Sequence, residues 1–111
     1  MSLFNRDSRV NLLSKTRFVI GRFDPEVVDY DNVRSFKFKV REGRNLHVRI
    51  SSELPVDVAV FDSEGRVVAS QTQVMNEEIE PVPFERNDNV LLVFGVYRGD
   101  MAEVEAEAWL E

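Results

Sequence analysis

From Ser35 to Ile50 the chain alternates apolar and polar residues almost without a break. Phe36, Phe38 and Val40, then Leu46, Val48 and Ile50, are interleaved with Lys37, Lys39, Arg41, His47 and Arg49. Successive side chains of a strand point to opposite faces, so a period of two means one buried face and one wet face. A helix would scatter the same residues around its whole circumference. Glu42-Gly43-Arg44 separates the two runs, and glycine there makes a positive φ cheap. The pair reads as a β-hairpin.

The rest of the chain repeats this signal. Val56–Phe61 is a third strand after Pro55, with Val56, Val58 and Val60 on one face. Asp62-Ser63-Glu64-Gly65 is a turn, and Arg66–Ser70 leaves it as a short strand. Gln71–Asn76 is polar and ambiguous. Pro81 and Pro83 confine residues 77–83 to an edge strand or a linker. Val90–Tyr97 and Met101–Leu110 are two further strands about an Arg98-Gly99-Asp100 turn. Arg17–Phe23 is a strand ahead of an acidic loop over Asp24–Asn32, and residues 1–16 read as an N-terminal arm or a short helical turn. Seven or eight short strands with turns every 8–12 residues predict an all-β fold: an antiparallel, jelly-roll-like β-sandwich occupying residues 17–111. Its expected core is Phe36, Phe38, Leu46, Val48, Ile50, Val58, Val60, Leu92, Phe94 and Val104.

Two strands carry more than alternation. In Val90–Tyr97 both faces are apolar, because Leu91, Val93 and Tyr97 oppose Val90, Leu92, Phe94 and Val96. Neither face should meet water, so the arm, a loop or a second copy must cover Leu91, Val93 and Tyr97. The last strand sets Ala102, Val104, Ala106 and Ala108 against an outer row of Glu103, Glu105, Glu107 and Trp109. Three carboxylates on one face need neighbouring cations. Lys37, Lys39 and Arg41 are the expected donors, which would place the last strand beside Ser35–Val40. Trp109 joins Leu91, Val93 and Tyr97 as an expected interface residue, since Trp and Tyr are enriched among interface anchors.

The run Phe36-Lys37-Phe38-Lys39-Val40, the Gly43 turn and Leu46-His47-Val48-Arg49-Ile50 resemble the opening of bacterial pre-peptidase C-terminal domains. The layout is also similar to GOLD-type β-sandwiches. Asp57-Val58-Ala59-Val60-Phe61-Asp62-Ser63-Glu64-Gly65 resembles the next strand and turn of the former, and Asp29-Tyr30-Asp31 lies where such domains carry acidic residues. The resemblance spans about residues 29–110. The last two strands depart from it, with Ala-Glu alternation in place of an aromatic pattern. It implies an accessory domain with a binding, trafficking or stabilising role, with a calcium site of loop carboxylates in some members.

The chemistry-bearing residues point away from an enzyme. His47 is the single histidine and cysteine is absent, so neither a nucleophilic triad nor a zinc site has its parts. The formal net charge of −6 opposes nucleic-acid binding, which rests on a basic field. No apolar run is long enough to span a bilayer as a helix. The absence of cysteine and of an N-terminal signal core suits the cytoplasm. The expectation is a non-enzymatic protein-interaction or assembly module that self-associates and needs no cofactor. The alternative is a calcium- or carbohydrate-binding accessory module. Calcium would use Asp24, Glu26, Asp29 and Asp31, because hard cations collect loop oxygens.

Overall fold

The computed structural model describes residues 9–24, 29–31, 33–96 and 101–111, with residues 22–24 and 29–31 described through their backbone alone. Among the described residues eleven strands follow in order. They are β1 (Val10–Ile20), β2 (Arg22–Asp24), β3 (Asp29–Asp31), β4 (Val33–Val40), β5 (Asn45–Ser52), β6 (Val56–Phe61), β7 (Val67–Val74), β8 (Glu77–Glu78), β9 (Val82–Pro83), β10 (Asp88–Gly95) and β11 (Ala102–Leu110). One sheet runs β1-β11-β5-β8, with β9 also on β5, and the other runs β4-β10-β6-β7. β2 and β3 form a small separate ribbon. The β4–β10, β6–β10, β1–β11 and β5–β11 pairings are all antiparallel. Two such sheets packed face to face make a β-sandwich.

The core is the set of inward positions that the alternation specifies. Leu46, Val48 and Ile50 from one sheet meet Val58, Val60, Leu92 and Phe94 from the other, all at most 2% exposed. Phe18, Val40, Val90 and Val104 belong to it as well, together with Ile20, Val56 and Val74. Phe36 and Phe38 are only half-buried, because β4 is the last strand of its sheet and no further strand pairs with it among the described residues.

Three expectations are corrected by the topology. Of residues 1–16, expected as an arm or a short helical turn, residues 1–8 lie outside the described residues, and residues 10–16 are neither. They open β1, the edge strand beside β11, with Leu12 and Leu13 packed on the core across two register shifts. The 16/17 boundary therefore falls inside a strand. Next, β4 and β5 are not a hairpin. β4 pairs with β10 and β5 with β11, so residues 41–44 carry the chain from one sheet to the other. Gly43 sits there at φ 77°, and its N–H donates to the Phe84 carbonyl at 2.9 Å. The same holds for β10 and β11, which lie in opposite sheets. Two strands facing one core from opposite sides show the same alternation as two strands side by side, so the pattern alone does not distinguish them. Finally, β11 does not lie beside β4. The cations opposite its glutamates come from the strands that flank it, β1 and β5.

Candidate interaction surface

The outer face of the five-stranded sheet is electrostatically closed. Register sets Arg17 of β1 opposite Glu105, and Arg49 of β5 opposite Glu107. Arg17 Nε donates to Glu105 Oε2 at 3.0 Å, which holds its guanidinium still more firmly protonated. Arg49 bridges Glu107 at 3.0 Å and Glu78 at 3.2 Å, and Arg9 reaches Glu107 at 3.6 Å. Cross-strand charge pairs of this kind are the sheet's counterpart of helical i,i+4 pairs.

Trp109 sits at the end of that row and is covered, with 4% of its surface exposed. Arg9 lies 4.0 Å over its ring, Arg49 5.4 Å away, and His47 stacks on it at 5.2 Å with ring planes 6° apart. The expected exposed anchor is therefore roofed by this chain's own cations. His47 is placed by this stack and by Glu111, 3.8 Å from its Nε2. The cations interleaved in the run Ser35–Ile50 are divided between the two sheets. His47 and Arg49 belong to one, Lys37 and Lys39 to the other.

The outer face of the four-stranded sheet is different. Leu91 lies between Lys37 of β4 and Phe61 of β6, and Val93 lies between Ser35 and Ala59. Leu91, Val93, Ala59 and Phe61 are half-buried and contiguous. Val67 and Val68, 56% and 41% exposed, extend the stripe along β7. β1 does not cover this face, since it pairs in the other sheet. A hollow of about 530 Å³ opens beside Leu91 between Lys37, Lys39 and the Asp62-Ser63 turn. A second, of about 320 Å³, continues past Lys39 to Arg41 and Asn87.

The structure thus brings together Leu91 and Val93 of the four expected interface residues and sets Trp109 on the opposite sheet. Tyr97 lies outside the described residues. Sequence reasoning missed Phe61 and Ala59 as neighbours of that pair. Their parity on β6 was legible, but the β6–β10 pairing was not.

The acidic turn at Asp62 is occupied by its own chain. Asp62 Oδ1 accepts the N–H groups of Glu64 and Arg66, each at 2.9 Å, and Oδ2 accepts Arg66 Nε at 3.1 Å. The backbone hydrogen bond from Arg66, ahead of the others, holds this carboxyl below the usual aspartate range. Ser63 does the same for Asp88 by hydrogen bonding to its carboxylate. Asp24, Asp29 and Asp31 fall on β2 and β3, where only the backbone is described, and Glu26 lies outside the described residues. Among the described residues no three metal-ligating side chains gather. Nor is any helix there long and apolar enough to cross a membrane.

No family model, curated protein or solved structure matches this chain.

Proposed function

We propose that the domain is a non-enzymatic protein-interaction module that assembles with a second copy of itself through the outer face of its four-stranded sheet. The carrying observation is the contiguous half-buried stripe of Leu91, Val93, Ala59 and Phe61 on the two central strands of that sheet. Apolar patches of this kind on a folded domain are commonly contact surfaces.

The charge layout favours a particular packing. A two-fold axis parallel to the strands stacks β10 of one copy over β6 of its partner. That arrangement sets the lysines of β4 over β7, whose eight residues include no charged side chain. Like charges are kept apart and the apolar rows meet. Aligned stacking of sheets at about 10 Å is the ordinary geometry for such faces.

The test is molar mass by light scattering across a wide concentration range. Wild type is expected to dimerise, and Leu91→Lys to be monomeric with an unchanged circular dichroism spectrum. A lysine in the stripe would bury an unpaired charge on association, which is costly. Retention of the wild-type mass by Leu91→Lys would remove this face as the interface. A monomeric wild type at every concentration would remove self-association.

A further inference from the structure

We infer that the free edge of β4 accepts an extended segment of a partner protein as a fifth strand of its sheet, one with carboxylates at alternate positions and apolar residues between them. This goes beyond self-association, and it uses the edge of the sheet rather than its face. β4 is terminal in the order β4-β10-β6-β7, so one side of its backbone has no sheet partner among the described residues. An open strand edge is a template for another strand, because its N–H and C=O groups are unpaired along a row.

Both faces of β4 specify what the added strand must carry. On the outer face stand Lys37 and Lys39, with Arg41 just beyond the strand. They make no ion pair among the described residues, whereas Arg9, Arg17, Arg49, Arg66 and Arg86 each hold a carboxylate. In a chain of net charge −6, three unpaired cations in sequence along one edge are a local reversal of sign. On the inner face Phe36 and Phe38 stack at 6.4 Å with rings 2° apart, yet both stay half-buried while Phe94 is fully enclosed. The core is only partly closed along this edge, by Phe18 of β1 at 5.4 Å from the Phe36 ring and by the Arg34 guanidinium 5.7 Å over it. A strand laid there sets one residue beside each lysine and the alternate residue beside each phenylalanine. Cross-strand pairing favours carboxylates at the first positions and apolar side chains at the second. Another copy of β4 is a poorer occupant: in central antiparallel register it brings lysines against lysines, and in shifted register it sets them against Ser35 and Val33, which offer no carboxylate.

The experiment is fluorescence anisotropy on the full chain with a labelled peptide of about eight residues alternating glutamate and valine, a usual strand length. Saturable binding is expected, weakening as salt rises. Replacing glutamate by glutamine should weaken it about tenfold, the sum of two or three cross-strand charge pairs. N-methylation of the amides that face the edge should abolish it, by removing the ladder hydrogen bonds. Lys37→Glu/Lys39→Glu should reject this peptide and bind one alternating lysine and valine, an exchange that also shows the variant is folded. Leu91→Lys should not weaken the peptide, so loss of self-association and loss of the edge site are read separately. Four results would each overturn the proposal. They are no saturable binding at millimolar peptide, equal binding of the glutamine peptide, equal binding of the N-methylated peptide, or equal competition by an oligonucleotide of the same charge.

Discussion

Trp109 follows directly on the alternating glutamates of β11, and alternation alone would leave it in water. Arg9, Arg49 and His47 enclose it instead, the guanidiniums presenting positive charge to the ring and the imidazole stacking on it. The indole Nε1–H is buried with no hydrogen-bond partner among the described residues. The ring therefore stabilises the fold while its polar atom costs something. Trp109→Ala should lower unfolding free energy in urea by about 3–5 kcal/mol, the usual range for emptying such a site. Trp109→Phe keeps the stack and removes the orphan donor, so its cost should stay under about 1.5 kcal/mol. Equal losses for both would mean the ring is not the stabilising part. Asp62 gives the second residue-scale expectation. Its carboxyl is held low by the Arg66 and Glu64 N–H groups. Between its lowered folded pKa and the ordinary aspartate value near ~3.9, the unfolded chain binds more protons than the folded one. Stability from Asp62 is therefore complete above the ordinary value and is lost as pH falls through the lowered one. Melting temperature followed across that acid window should fall less steeply in Asp62→Asn than in wild type.

At the scale of elements, the β6–β7 hairpin was legible and most of its neighbours' pairings were not. Asp62-Ser63-Glu64-Gly65 specifies a tight turn through local chemistry alone: an aspartate that caps its own backbone, and a glycine at φ 80°. The Gly65 N–H donates to the Asp62 carbonyl at 3.0 Å, and the Asp62 N–H to the Arg66 carbonyl at 2.9 Å. A Cβ at Gly65 meets nothing within 4 Å, so the strain of Gly65→Ala is in the backbone only. That change should cost about 1 kcal/mol by chemical denaturation, and Gly65→Asn less, because Asn tolerates the left-handed region. A loss of several kcal/mol would point to a packing role that the space around it does not suggest. The Gly43 turn shows the limit of the same reading. It has the same residue type and a similar φ of 77°, yet it joins two sheets rather than two paired strands. Its destination depends on Phe84 and Asn87, about forty residues away, which bind the N–H groups of Gly43 and Glu42. Other sheet edges carry different devices against unwanted pairing. β1 has two register shifts, β9 ends on Pro83, and Gln73 of β7 adopts φ 55° with its N–H on Asp57.

For the whole molecule, the two outer faces divide the labour. One is closed by matched arginine–glutamate pairs and a roofed tryptophan, and the other leaves an apolar stripe and a cationic edge without partners among the described residues. This division gives the Leu91→Lys experiment its sharpness. A lysine on the closed face, for example at Asn11 beside Trp109, should leave molar mass unchanged, whereas the same residue at position 91 should dissolve the assembly. If both variants behave alike, the asymmetry between faces has no role in association.

The sequence by itself determined the fold class, the inward positions and the tight turns. These depend on side-chain parity and on the φ preferences of a few residues, both of which are local. Beyond the β6–β7 hairpin it did not determine which strands are neighbours. The alternation of β4 is satisfied equally by β5 beside it or by β5 across the core, and the glutamates of β11 are matched equally by lysines on β4 or by arginines on β1 and β5. Only closure of the two sheets decided between these, because burying one continuous core constrains all strands together. That decision fixed Trp109 beneath Arg9 and left Leu91, Val93 and the lysines of β4 on an open surface.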